Sequence, residues 1–309
     1  MRIASIDLGT NTFNLLIADA GSNGLNIVHR DKRGVKLGRN GINRKTISAD
    51  AWERGMNTLA DYAEDIKRFQ PDRVVATATS AIRNADNGNT FIREAFDKFG
   101  ITIRIIDGKE EARLIYMGVC NAVPIGTEPV LIMDIGGGSI EFIIAEITGI
   151  LWHNSFEAGA SRLLELYNPS EPITRDEILN IENHIEQQAA ELFETAQNYP
   201  LTTLIGSSGS FDAIANMSSF ILNGGPVGND SKYFEIPLHT YLHIHNILLQ
   251  STTEQRKRIP GMDLIRVELI VIGSILIHHI VNKLSLKRII QSSYAIKEGV
   301  IFDAIGKDF

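Results

Sequence analysis

The apolar residues of this chain recur at two spacings. Short continuous runs at 2–6, 73–77, 101–106, 130–133, 140–146, 150–155, 201–205 and 288–291 read as strands, most of them buried. Between them the spacing is helical: Trp52, Met56, Leu59, Ala63 and Ile66 line one face, Ser48 is placed to cap it and Pro71 to end it. The same reasoning predicts helices over 90–99, 109–119, 175–197 (capped by Thr174), 211–217, 239–249, 264–281 and from about 295. Strands and helices alternate in both halves, which predicts an α/β chain of two lobes with mixed sheets. The length of 309 residues exceeds a single ordinary core, and 44% hydrophobic residues suffice for two. The least regular stretch, 223–231, reads as an exposed loop.

One phrase occurs twice. Asp7-Leu8-Gly9-Thr10-Asn11-Thr12-Phe13-Asn14 aligns without a gap on Asp134-Ile135-Gly136-Gly137-Gly138-Ser139-Ile140-Glu141. Each copy leaves an apolar run through one Asp, turns on small residues and enters a second apolar run: strand, tight turn, strand. A single such turn occurs in many proteins without a ligand, but repetition marks a duplicated unit. Small residues let backbone N–H groups converge on phosphate oxygens, and the Asp can approach a cation or its water. Two facing turns would hold a phosphate from both sides.

Charge adds a constraint. The net charge of -7 argues against nucleic acid as a bulk partner, yet residues 30–45 carry seven Lys/Arg (Arg30, Lys32, Arg33, Lys36, Arg39, Arg44, Lys45) against the single acid Asp31. Arg256, Lys257, Arg258 and Arg266 form a second cluster. The first reads equally as solvated surface or as the rim of a groove for a polyanion, and the second reads first as solvated surface. Cys120 excludes an internal disulfide and reads as a packing residue. The longest apolar stretch, 267–281, contains Glu268, His278 and His279, so no membrane or targeting segment is expected. His239, His243, His245, His278 and His279 complete no metal-ligand pattern.

Three further constellations follow strands. Glu110 and Glu111 open a helix, where acids suit the helix dipole but where a carboxylate can also enter a cleft and take a proton from water. Thr79, Ser80 and Arg83 follow the strand at 73–77, and Arg83 can contact phosphate or solvent. Gly206 to Ser210 closes another strand at a helix start, a weak anion signal alone.

Together these residues resemble the exopolyphosphatase and guanosine pentaphosphate phosphohydrolase family of the actin, sugar kinase and Hsp70 superfamily. The resemblance covers essentially the whole chain. It rests on the first turn, the Ala78-Thr79-Ser80-Ala81-Ile82-Arg83-Asn84-Ala85 stretch, Glu110-Glu111-Ala112-Arg113-Leu114, the second turn, Gly206 to Ser210, and Tyr294-Ala295-Ile296-Lys297-Glu298-Gly299. It implies two ribonuclease-H-like domains with the active site in the cleft between them. Domain I would span 1–121, completed by a terminal helix at about 300–309, and domain II would span 122–299.

The implied activity is metal-dependent exopolyphosphatase hydrolysis, releasing orthophosphate from the end of inorganic polyphosphate. Glu111 would be the catalytic base. Asp134 and Glu141, helped by Asp7, would hold Mg²⁺ or another divalent cation directly or through water. Gly9, Thr10, Asn11 and Thr12 would form one phosphate clamp and Gly136, Gly137, Gly138 and Ser139 the other, with Arg83 a further phosphate contact. The resemblance also implies a cytoplasmic homodimer.

Several positions depart from the family pattern. Ser210 stands where Thr is usual and Asp212 brings an acid beside it, Glu268 stands for Asp, and Ile272 stands where Pro is common. The chain stops soon after Gly299, whereas longer members add helical domains, so short polyphosphate is the expected preference. Guanosine pentaphosphate is the alternative substrate, and a kinase of the same superfamily or a nonhydrolysing polyphosphate or alarmone sensor are the rival functions.

Overall fold

A computed structural model describes residues 1–21, 24–228 and 230–306. In its first half, β1 (Arg2–Leu8), β2 (Phe13–Gly21) and β3 (Gly24–Arg33) form an antiparallel meander, followed by α1 (Ala49–Phe69), β4 (Arg73–Ala78), α2 (Ser80–Arg83) and α3 (Gly88–Phe99). Then come β5 (Ile103–Ile105) and α4 (Gly108–Cys120). The second half repeats the meander as β6 (Val130–Ile135), β7 (Ile140–Glu146) and β8 (Gly149–Phe156). It continues through α5 (Ala160–Tyr167), α6 (Arg175–Gln188), α7 (Ala190–Ala196), β9 (Thr203–Ser207) and α8 (Ser208–Asn223). The last elements are β10 (Tyr233–Ile236), α9 (Leu238–Leu249), α10 (Thr253–Arg256), α11 (Ile270–Lys283), β11 (Arg288–Ser292) and α12 (Ile296–Ala304).

The duplication seen in sequence is a duplication of topology. One sheet runs β3-β2-β1-β4-β5 and the other β10-β11-β9-β6-β7-β8, so both contain the meander, then two parallel strands added beside its first strand. This is the ribonuclease-H-like order, with β10 appended antiparallel in the second lobe. Each sheet carries its own apolar core: Ile6, Phe13, Leu59, Tyr62 and Phe91 in the first, and Phe142, Phe211, Tyr241, Ile275 and Ile280 in the second.

Two helices occupy the space between the sheets. α4 lies on β7 and β8 of the second sheet, while α12 lies on β1 and β2 of the first, and the two helices pack on each other. A third apolar cluster seals this layer, with Leu114, Ile115 and Val119 of α4 against Ile143 and against Val300 and Phe302 of α12. Glycines set the crossing: a Cβ at Gly299 would stand 1.8 Å from the Leu114 carbonyl oxygen, and one at Gly118 would stand 2.2 Å from that of Ala295. The backbones therefore touch at both points. The expected terminal helix ends its described course at Ala304, and 307–309 of the span 300–309 lie outside the described residues.

Several expectations are corrected. The helix expected over 175–197 is two helices meeting at Ala189 (φ -106°, ψ 29°), and no Gly or Pro marks the break. The helix expected from 264 begins at Ile270, because Asp263 Oδ1 accepts the Ile265 N–H at 2.9 Å and turns the chain there. The helix expected over 211–217 runs from Ser208 to Asn223, shortening the loop at 223–231, of which 229 lies outside the described residues. Ser48 occupies the N-cap of α1 without a capping bond and donates to the Arg39 carbonyl instead. The basic stretch 30–45 begins inside β3, an edge strand whose charged residues protect it from pairing.

Candidate active site

The two turns are built alike. Gly9 and Gly136 each sit where a Cβ would come within 2.8 and 2.9 Å of the carbonyl oxygens of Thr12 and Ser139, three residues on. Neighbouring segments take the turn carbonyls from behind. Gly38 N–H donates to Thr10 O (3.0 Å) and Lys36 N–H to Asn11 O (2.8 Å), while Ala160 and Ser161 N–H donate to Gly136 O and Gly137 O (both 2.9 Å). That leaves the amide side of each turn for an anion. Asn11 Nδ2 is buried without a hydrogen-bond partner, a donor awaiting an acceptor such as a phosphate oxygen. The turns meet face to face: the missing Cβ positions of Gly137 and Gly138 point at Thr10 at 2.9 and 2.8 Å.

Strand register places the acids. Asp7 pairs across β1 and β2 with Asn14, and Asp134 pairs across β6 and β7 with Glu141. The duplicated position is thus an amide in one lobe and an acid in the other. Asn14 Nδ2 donates to Asp7 Oδ2 at 3.0 Å. Asp134 Oδ2 accepts from the hydroxyls of Ser207 and Ser208 at the end of β9. Glu141 is fully buried; its Oε1 accepts from Ser155 Oγ at 2.7 Å, and its Oε2 has no partner.

Glu111 enters from the first turn of α4, whose N-cap Asp107 accepts the Glu110 N–H. It is 8% exposed, and its Oε2 accepts from Arg83 Nη1 at 3.0 Å. Burial raises all four acids above the usual carboxylate range: Asp7 to about 6 despite Asn14, Asp134 despite its two serines, Glu141 to about 8 with Asp134 adding repulsion, and Glu111 well above with Glu141 adding. Burial is the largest cause for each, and the nearest cations, Lys297 for the two aspartates and Arg83 for the two glutamates, offset it only in part.

Asp7, Glu111, Asp134 and the two turns border a cleft of about 730 Å³. Its wall includes Asp7, Gly9, Thr10, Asn11, Thr12, Glu111, Asp134, Gly136, Gly137, Gly138 and Ser139, together with Lys297 and Arg266. Glu141 and Arg83 are not on that wall. Arg83 is held by three acceptors: Glu111, the Ile106 carbonyl (3.1 Å) and Glu157 of the second lobe (3.1 Å). Glu157 also accepts from Ser80 Oγ at 2.8 Å and from Arg162, tying the lobes beside the second turn. Nothing in the sequence distinguished Glu157 from a surface acid, and Lys297 stood in a family element without a separate role.

The basic segments are mostly committed. Lys32 pairs with Asp263 and Lys36 with Glu268 across the lobes, Arg33 pairs with Asp31 and Asp61, and Arg256 is buried on the Val267 and Ser251 carbonyls and Glu171. Only Arg30, Lys32 and Arg266 of the two clusters line the cleft. Cys120 is half-buried, and burial pushes its thiol up to about 11, as befits a packing residue.

For a divalent cation the donor set fits in kind. No three His, Cys, Asp or Glu side chains among the described residues converge as a ready-made shell, so Asp7, Asp134 and Glu141 do not form a three-carboxylate cage. Mg²⁺ keeps several waters and takes one or two carboxylates with substrate oxygens. The unpartnered Glu141 Oε2 and the carboxylates of Asp134 and Asp7 offer that set.

Comparison with known proteins gives four likenesses. The model of the Ppx/GppA phosphatase family matches residues 16–308. The crystal structure of an exopolyphosphatase from Cytophaga hutchinsonii superposes with a TM-score of 0.95 at 33% identity, covering 99% of this chain and 98% of that one. A Haemophilus influenzae protein provisionally named an exopolyphosphatase is 26% identical over 100% of this chain and 92% of its own length. An Aquifex aeolicus Ppx/GppA family member shares the fold, with a TM-score of 0.80 at 24% identity over 99% of this chain and 97% of that one.

Proposed function

The chain belongs to the Ppx/GppA phosphatase family, and from that premise we propose that it is an exopolyphosphatase, hydrolysing the terminal phosphoanhydride bond of inorganic polyphosphate. One observation carries the reading: a buried carboxylate, Glu111, held at one oxygen by Arg83, stands in the same cleft as two facing phosphate-type turns. Hydrolysis of a phosphoanhydride needs a water aligned with the leaving group and cancellation of charge on the phosphoryl oxygens. Glu111 holds that water and accepts its proton, and burial makes it a stronger base than a solvated carboxylate. Thr10, Asn11 and Ser139, with the glycines between, direct amide and side-chain donors to the phosphoryl groups on either side.

A divalent cation, Mg²⁺ foremost, would be held by Asp134 and Glu141 with Asp7 nearby, and when bound it supplies positive charge against phosphate oxygens. Arg83 holds Glu111 in orientation. The reading carries with it a cytoplasmic location and a homodimer. No helix of the described residues is long and apolar enough to cross a membrane.

A second substrate has its own observation. The cleft lining also includes the apolar residues Phe220, Pro226, Val227 and Met262, side chains of the kind a nucleobase packs on, and guanosine pentaphosphate is the second substrate. The test is orthophosphate release from short polyphosphate, long polyphosphate and guanosine pentaphosphate with Mg²⁺, comparing wild type with Glu111→Gln. Release from polyphosphate that the substitution abolishes is the expected result. Release from guanosine pentaphosphate alone would move the assignment to the second substrate. ATP turnover only with an added acceptor would replace the hydrolase by a kinase, and binding without turnover would replace it by a sensor.

A further inference from the structure

The sequence assigned phosphate contact to Arg83, whose guanidinium donates to Glu111, Glu157 and the Ile106 carbonyl and is not on the cleft wall. A different cation is on the wall. Lys297, second residue of α12, has a side chain only 26% exposed and lines the cleft with both turns and Glu111. Its charge lies close enough to Asp7, Asp134 and Asp212 to be felt by each of them. It is therefore the ammonium that both turn aspartates share.

The direct partner of Lys297 does not use up that ammonium. Glu298 Oε2 lies 3.1 Å from Lys297 Nζ, but the same oxygen accepts the Ala295 N–H at 2.9 Å, and Glu298 is 1% exposed. This carboxylate closes the start of α12 and holds the lysine at its ammonium. Asp212 is likewise engaged by Gln291 Nε2 at 2.9 Å. An ammonium has three donors, and the Glu298 contact takes one. Of the other cleft cations, Arg30 and Lys32 come from β3, with Lys32 paired with Asp263, and Arg266 lies beside Asp212 and Asp263 with Asp134 also in its field.

Position is fixed as well as charge. Lys297 lies two residues before Gly299, whose missing side chain lets α12 rest on the Leu114 carbonyl, and Leu114 is three residues after Glu111 on α4. The two helices thus carry Glu111 and Lys297 into the cleft on one rigid crossing.

Resting on the polyphosphatase reading, we infer that Lys297 is a phosphate-binding residue whose ammonium takes a non-bridging oxygen of the phosphoryl group held between the two turns. A point charge on a flexible stem suits a group whose oxygens change position as the bond to the leaving phosphate lengthens. Its neighbouring acids hold the lysine protonated and in place when no substrate is bound.

The experiment is calorimetric binding of tripolyphosphate with Mg²⁺ in the Glu111→Gln background, so that turnover does not interfere. Adding Lys297→Met weakens binding by roughly 10- to 100-fold, the worth of one charge-assisted hydrogen bond. Lys297→Arg stays within about threefold of the parent, because the charge is kept. Lys297→Gln, which preserves bulk and a donor, reproduces the loss and serves if the methionine variant does not fold. In the otherwise native enzyme, KM for tripolyphosphate rises in step with the binding loss. Tripolyphosphate bound within about twofold by both uncharged variants overturns the inference, and so does a parent Glu111→Gln protein that does not bind it. Failure of the wild type to release orthophosphate overturns the polyphosphatase reading instead, a separate readout.

Discussion

Replacing Gly299 by alanine sets two opposed effects against each other at one position. Gly299 lies inside α12 with ordinary helical geometry, so alanine favours the helix by about 1 kcal/mol through reduced backbone freedom. Against this, the new Cβ stands 1.8 Å from the Leu114 carbonyl oxygen, 2.7 Å from its carbon and 3.1 Å from Gly118 N. All three are backbone atoms of a buried helix, which cannot rotate away as a side chain does. Overpacking of this kind costs about 1–3 kcal/mol, and backbone contacts place it at the upper end. The net expectation is destabilisation by about 1–2 kcal/mol, read as a lower urea midpoint with unchanged slope. The structure relaxes by sliding α12 off α4, which moves Lys297 relative to Glu111, so polyphosphate hydrolysis falls by more than the unfolded fraction accounts for. A Gly299→Ala protein as stable as wild type or more so, with full activity, refutes the close crossing.

Other perturbations probe the site and the second core. Gly138→Ala puts a Cβ 2.4 Å from Ser80 Oγ and 2.8 Å from Thr10 Oγ1, so the turns can no longer meet; hydrolysis should fall by at least about a hundredfold while circular dichroism and melting stay near wild type. Treatment with a chelator should abolish orthophosphate release, and Mg²⁺ should restore it; undiminished release after exhaustive dialysis against chelator would exclude the cation from the reaction. His245 is buried, bonded through Nδ1 to Ser274 Oγ at 2.8 Å and stacked on His278 at 4.1 Å, and burial lowers it to about 4. The unfolded chain binds the proton first as pH falls, so the stability contributed by neutral His245 is complete above about 6.5 and lost towards 4, up to about 3 kcal/mol. Urea midpoints between pH 7 and pH 4.5 should fall steeply in wild type and less in His245→Gln; parallel curves would remove His245 from the account.

The duplicated turn was legible because a tight strand-turn-strand needs small residues at fixed places, and Gly9 and Gly136 still meet Thr12 and Ser139 in matching geometry. Most strands were legible because buried strands are continuous apolar runs. β3 was not, since an edge strand alternates charge with partial burial and reads as a basic surface segment. Arg83 was found but its partners were not: a salt bridge to Glu111 links α2 to α4, and one to Glu157 links the two lobes, distances that local spacing does not encode. The split between α6 and α7 left no mark either, because Ile181, Ile185, Leu192 and Ala196 keep helical spacing across Ala189.

The crossing of α4 and α12 also imposes an order on biosynthesis. α12 is made after every other described element, yet it lies on β1 and β2, the first of the described strands, and its backbone meets α4 at Gly118. Roughly 180 residues separate the two contact points, and at cellular translation rates of about 5–20 residues per second the nascent chain waits on the order of ten to thirty seconds for its partner helix. During that interval the apolar faces of β1, β2 and α4 that α12 covers stand exposed, the kind of surface that chaperones bind. Lys297 and Glu298 arrive last of the charged groups around the cleft, and a ribosome-bound chain holds its turns and its base without the helix that joins them.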